Sequence, residues 1–380
     1  MIRLTVPVLE EEDLQAVRET LRTGYLVQGP KVAAFEQAVA HYVGCQYAIA
    51  VSNGTAALHL ALLALDVNPG DMVVVTTYSW PSTANVIELC GAQPIFVDIR
   101  PDTFNLDPVC LEQILQRLMA VPATAKRVKA ILPVHTFGQM ADMPMILEIA
   151  KHYNLPVIED AACALGAALN GQKAGAWGKI GCFSFHPRKA ITTGEGGMLT
   201  TNDAALARRL QALRNHGLAP ESPYPDFIMP GYNYRMTEFQ AALGLTQMAK
   251  LNAIIATRQQ LARHYNHLFA ESAIQTPIMQ KCCTAVYQSY VILVPDDLPY
   301  QRKTLINQLK EEGVEITLGT WHMPLTTYFR TRYGYTAGSF PVTDDIFSRS
   351  LTLPLHQYLS ECDQIIVHDA LLNALGIHNG

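Results

Sequence analysis

The sequence predicts an α/β fold: a mostly parallel sheet sandwiched by helices over residues 1–250, then a smaller α+β domain over 251–380. Three observations carry that expectation. Short apolar runs alternate with segments of helical periodicity through the first half of the chain. Residues able to do chemistry stand just past the ends of the apolar runs. From about residue 252 the regular alternation gives way to a looser mixture of helix and strand patterns.

The bulk numbers agree with a compact enzyme. The 380 residues are 49% hydrophobic and 16% charged, enough to bury a sizeable core. A net charge of −5 gives no pull toward nucleic acid or an anionic membrane. No apolar run approaches the roughly 18 residues of a membrane span. The opening Met1-Ile2-Arg3-Leu4 leads straight to Glu10, Glu11 and Glu12, which is not a signal peptide, so a cytoplasmic protein is expected. The 8 cysteines show neither a CxxC pair nor metal-ligand spacing and read as free thiols, with no metal site expected.

In chain order, Leu14, Val17 and Leu21 lie at helical spacing in a helix over 10–21 that ends near Gly24. A second helix starts near Lys31 and stops at Gly44. The apolar run 47–51 is a buried strand, and Ser52, Asn53, Gly54 and Thr55 then open a helix over 56–65. A strand that feeds a helix through Gly-Thr gathers unpaired N–H groups at the positive helix end, which makes Gly54 and Thr55 a candidate phosphate seat. Gly-Thr also caps many helices that bind nothing. A strand over 72–76 precedes Trp80 and a helix over 82–90, and a further strand spans 94–98. A strand over 130–134 ends at His135, and a helix over 143–153 separates it from a strand over 156–159 that ends at Asp160. Phe183, Ser184 and Phe185 form the next strand, which turns at Pro187 into Lys189 and a glycine-rich loop before a strand over 198–201. A helix over 203–214, a proline-rich stretch over 220–230 and a long helix from about Thr237 past Lys250 complete the larger part. The smaller part reads as a helix to Phe269, a strand over 286–294, a helix over 303–312 and a strand over 314–318. In parallel sheets ligands collect beyond the carboxyl ends of the strands, where Thr55, Trp80, His135, Asp160 and Lys189 all fall.

Lys189 is a candidate covalent anchor. A free lysine has a pKa of about 10.4, so only roughly one in a few thousand is neutral at pH 7, and a site using its amine must shift that balance or trap the product. Asp160 at the end of an apolar strand is costly to bury unless a cation meets it, although it could equally be a helix cap. An amine, a buried carboxylate, a phosphate seat (Gly54, Thr55, Ser184) and an aromatic plate (Trp80) together fit pyridoxal 5'-phosphate. The glycines at 194, 196 and 197 precede a strand and lack the GxGxxG order, which disfavours a dinucleotide site.

These motifs resemble the DegT/DnrJ/EryC1/StrS family of sugar aminotransferases, which have the fold-type-I architecture of aspartate aminotransferase. The likeness runs from Gly29-Pro30-Lys31 through Ser52-Asn53-Gly54-Thr55, Glu159-Asp160-Ala161-Ala162 and Phe183-Ser184-Phe185-His186-Pro187. It continues through Gly231-Tyr232-Asn233-Tyr234-Arg235 and reaches Leu353-Pro354-Leu355-His356. The resemblance implies that Lys189 tethers the cofactor, Asp160 partners its ring nitrogen, Trp80 stacks on the ring, and Gly54, Thr55 and Ser184 hold the phosphate. It implies a homodimer with shared active sites, in which Asn233 reaches the phosphate of the second subunit. It also implies glutamate as amino donor and a nucleotide-linked 3- or 4-keto-6-deoxyhexose as acceptor. His322, His135 and Arg235 are candidate substrate contacts, the histidines equally plain packing residues and Arg235 equally structural. Where the family usually carries Gln or His, three residues after the aspartate, this chain has Cys163. A cyclitol ketone is the nearest rival acceptor, and a cofactor-binding sensor without turnover is the rival from another class.

Overall fold

The computed structural model describes residues 1–220, 224–296 and 301–377. Seven strands build the main sheet: β1 (Tyr47–Val51), β2 (Met72–Thr76), β3 (Gln93–Val97), β4 (Val128–Leu132), β5 (Ile158–Asp160), β6 (Ile180–Ser184) and β7 (Gly197–Thr201). Four of them pair as β1-β7-β6-β5 and three as β4-β2-β3, and the bridges Ile131↔Val157 and Val134↔Asp160 join the two sets. Only β7 runs antiparallel to its neighbours; the pairs among β6, β5, β4, β2 and β3 are parallel. Side chains alternate between the two faces as the strand period demands. Ala48, Ala50 and Val74 enter one core, while Ile49, Val51, Val73 and Val75 enter the other. Helices α1 (Glu11–Thr23), α2 (Pro30–Val43), α3 (Gly54–Ala64) and α4 (Ser82–Leu89) match the sequence expectation to within a residue or two.

Several elements depart from it. A helix α5 (Pro108–Met119) capped by Asp107, and another at Glu361–Leu375 capped by Ser360, occupy segments that were not assigned. The strand expected over 286–294 is confined to Tyr290–Leu293, because its ladder partner Ser350–Leu353 is only four residues long. The expected boundary at 250/251 falls inside one unbroken helix of 31 residues, Glu238–Leu268. Its first half packs Ala241, Leu251 and Ile254 into the core beneath the main sheet. Its second half gives Leu261, Ala262 and Tyr265 to a separate core with Tyr290, Ile292, Leu353 and Val367. The same helix caps another. Glu238 is buried, and its carboxylate accepts from the N–H groups of Gly29 (2.8 Å), Lys31 (2.9 Å) and Val32 (2.9 Å), which the start of α2 leaves without intrahelical partners. A short antiparallel pair, Tyr78–Ser79 with Trp321–His322, carries a piece of the later chain back over the main sheet. Among the described residues no helix is long and apolar enough to cross a membrane.

Candidate active site

At the carboxyl ends of β1, β5 and β6 lies a cavity of about 1010 Å³. Gly54, Thr55, Trp80, Asp160, Ser184 and Lys189 all line it, so the sheet brings six dispersed residues to one place. Each arrives by a simple local route. Asn53 caps α3 by accepting the Ala56 N–H at 2.8 Å, which sets Gly54 and Thr55 as the first two helical residues. A side chain on residue 54 would put its Cβ 2.8 Å from the Ser184 Cβ, so glycine alone lets this helix start lie against Ser184. β6 delivers Ser184, and the loop beyond it folds back through Thr193 N–H to Phe185 O (3.0 Å), holding Lys189 over the strand end. Trp80 remains 63% exposed at the mouth, a free aromatic face beside the cavity.

β5 sends its two carboxylates to opposite sides. Asp160 faces the cavity, is 4% exposed, and accepts from the Thr83 hydroxyl at 2.8 Å and the Ala162 N–H at 3.1 Å. Burial pushes its pKa above the ordinary carboxylate value; those two bonds and the charge of Lys189 pull the other way without cancelling the effect. Glu159 faces backward and is fully buried, accepting the N–H groups of Gly175 (2.8 Å), Trp177 (2.8 Å) and Gly178 (2.6 Å). His135 completes that network. Its Nδ1 accepts the Ala141 N–H at 3.1 Å, which leaves Nε2 to donate to Glu159 at 2.9 Å. Glu159→Gln turns an amide N–H₂ toward these donors. The expected cost is about 3–5 kcal/mol, read as a lower midpoint in denaturant.

The structure does not bring the three candidate substrate residues into this cavity. His135 is 0% exposed and committed to Glu159. His322 is 2% exposed and bonds through Nε2 to Asp344 at 3.0 Å; strand alternation turns its neighbour Trp321 to the cavity instead. Arg235 bonds Asn215 at 3.1 Å on the bridge to Val51 and is absent from the cavity lining. Asn233 is exposed beside it, also outside the cavity. Sequence reasoning missed Thr83, the hydroxyl that fixes Asp160, and Trp321, Thr320 and Gln288 from the later chain. Thr83 lies in the first turn of α4, three residues after Trp80, and that closeness in sequence could have flagged it; nothing local marks the others.

The cavity fits pyridoxal 5'-phosphate. A buried carboxylate at its wall calls for a cation, which a protonated ring nitrogen would supply. The glycine cradle at residue 54 with Thr55 and Ser184 suits a phosphate, and Lys189 is the only lysine in the lining, suited to an aldehyde.

Comparison with known proteins points the same way. The model of the DegT/DnrJ/EryC1/StrS aminotransferase family matches residues 7–372. GDP-perosamine synthase of Caulobacter vibrioides is 37% identical over 369 residues, covering 95% of both chains. PseC of Helicobacter pylori, an aminotransferase involved in the biosynthesis of pseudoaminic acid, superposes with a TM-score of 0.91 at 25% identity, covering 99% of this chain and 100% of that one. Spr1654 of Streptococcus pneumoniae has been solved in PLP and PMP forms; its PMP form gives a TM-score of 0.91 at 27% identity and 99% coverage of each chain. The fold is that of the PLP-dependent aminotransferases, and PLP is the cofactor. With a carboxylate, an amine and a phosphate cradle gathered at the strand ends of this fold, the chain belongs to the DegT/DnrJ/EryC1/StrS aminotransferase family and is a PLP-dependent sugar aminotransferase.

Proposed function

We propose that this enzyme moves an amino group from glutamate to C3 or C4 of a nucleotide-linked keto-6-deoxyhexose. The observation that carries the reading is the size and furnishing of the cavity. At about 1010 Å³ it stands at the upper end of small-molecule sites, with room beyond the cofactor for a second sizeable ligand. Trp321 and Thr320 form part of the wall where a sugar would lie, and Arg188 is the one arginine in the lining, available to an anionic substrate group.

When bound, PLP supplies an electron sink and carries the amino group between the two substrates. The protein's own residues do the rest. Gly54, Thr55 and Ser184 bind the phosphate, and Trp80 covers the ring. Asp160 keeps the ring nitrogen protonated, with Thr83 orienting the carboxylate. Lys189 anchors the resting cofactor. With its amine free, Nζ would accept the proton from the donor α-carbon and would deliver one to the sugar carbon that receives nitrogen.

The test is purified enzyme with glutamate and a panel of acceptors. A GDP-linked 4-keto-6-deoxyhexose comes first, because a relative named GDP-perosamine synthase is 37% identical. UDP- and dTDP-linked analogues and scyllo-inosose follow. Release of 2-oxoglutarate with a nucleotide keto sugar is expected. Turnover of scyllo-inosose alone would replace this reading with the cyclitol one.

The working unit is proposed to be a homodimer with shared sites. Asn233 is exposed, and the segment just before it carries four exposed apolar side chains, Tyr224, Phe227, Ile228 and Tyr232, of a kind often found at interfaces. Mixing and reassociating inactive Lys189→Ala and Asn233→Asp subunits is expected to restore about a quarter of wild-type activity, because each hybrid dimer regains one intact site. Recovery no greater than the sum of the two parents would exclude sharing through Asn233.

A further inference from the structure

Lys189 Nζ donates to Cys163 Sγ at 3.0 Å. Among the described residues no ion pair includes Lys189, and the cysteine sulfur is its only side-chain acceptor. The sulfur is firmly mounted. Cys163 sits in the turn just after β5, where the Ala162 N–H bonds Asp160 and the Ala164 N–H bonds the Ala161 carbonyl at 2.9 Å. Gly138, with φ +92°, backs this turn so closely that a Cβ there would lie 3.0 Å from the Cys163 carbonyl oxygen. The turn that carries the ring-nitrogen partner thus also carries the partner of the lysine.

We infer that Cys163 is a positioning residue that holds the Lys189 amine whenever it is not joined to the cofactor. This rests on the reading of Lys189 as the anchor. The choice of sulfur has a physical logic. A free lysine side chain has several rotamers to lose, and an amine that wanders must be re-ordered before it can act. A carboxylate in contact would hold it strongly and keep it charged. The carboxylate at hand, Asp160, is instead turned to Thr83 and Ala162. A thiol is a weak acceptor, so it fixes the position of the nitrogen at little cost to its release.

The test joins proximity to function. Apoprotein treated with o-phthalaldehyde, which closes a fluorescent isoindole only between an adjacent amine and thiol, is expected to link Lys189 to Cys163, as mapped by peptide mass spectrometry. Reloading with PLP should block the reaction. In stopped-flow reconstitution, Cys163→Ala is expected to slow development of the bound-cofactor colour about 3–10-fold, the worth of one net hydrogen bond. Cys163→Ser, which keeps an acceptor, should recover to within about twofold. Cys163→Ala should also lower kcat while leaving the sugar KM unchanged, and Cys163→Ser should restore kcat to within about twofold. Protection of the buried Cys90 and Cys182 from alkylation reports that each variant is folded. Wild-type reconstitution by Cys163→Ala, or the absence of a Lys189–Cys163 isoindole, would overturn the inference. Borohydride labelling in the same samples keeps the two claims apart. Label on Lys189 with an indifferent Cys163 refutes only this inference, and label elsewhere refutes the anchor itself.

Discussion

Lys189→Ala is expected to abolish turnover, with kcat falling roughly ten-thousandfold or more, and to replace the absorbance of the bound cofactor by that of the free aldehyde. The size of the effect follows from the cavity. Lys189 is the only lysine in the lining, and neither His186 nor Arg188 beside it can both tether an aldehyde and shuttle a proton at carbon. The proposed phosphate seat at Gly54, Thr55 and Ser184 does not involve the amine, so the variant should still take up PLP, only more weakly. That separation makes the result diagnostic. A folded variant that binds PLP but shows the free-aldehyde band in place of the imine band, and is inactive, has lost an anchor, not a structure. Borohydride reduction of wild-type holoenzyme should fix the label on the peptide containing Lys189, and none should be fixed in the variant. Undiminished activity of Lys189→Ala would remove the basis of the proposed mechanism.

What could be read from the sequence is what local pattern encodes. The strand ends were legible because Asp160 closes an apolar run, where a carboxylate is costly to bury, and because Pro187 marks the turn that leads to Lys189. The alternation of Ala48, Ile49, Ala50 and Val51 marks a strand buried on both faces, and the caps at Gly24, Gly44 and Thr237 are local signals. What escaped depends on partners far along the chain. Nothing near Trp321 says that its strand will pair with Tyr78 and Ser79 and so present it to the cavity. Nothing near His322 says that the same pairing turns it to Asp344. Glu238 looks like an ordinary first-turn glutamate until α2 arrives to be capped. The domain boundary was placed at 250 because the regular alternation of strand and helix gives way near 252; the helix continues across it, and only the core it packs against changes.

The second large effect is a reversal of sign at Asp160. Burial raises its pKa above the ordinary value of about 3.9. In the apoprotein the folded state therefore holds the proton more tightly than the unfolded chain. Stability is lost as pH rises from that ordinary value through the raised one, and stays lost above it. Asp160→Asn keeps the shape of the side chain and removes the charge. The apoprotein of this variant is expected to melt about 1–3 °C above wild type at pH 7, with the gain vanishing once the pH falls below about 3.9. Holoenzyme should show the opposite order. Asp160 is the carboxylate proposed to hold the proton on the ring nitrogen, so its loss is expected to lower kcat about a hundred- to a thousandfold. A buried charge that costs stability in the empty site and is indispensable in the loaded one is the signature of a residue placed for its ligand. If the apoprotein of Asp160→Asn instead melts below wild type at neutral pH, the bonds from Thr83 and Ala162 outweigh the burial, and Asp160 is held for the fold as much as for the cofactor.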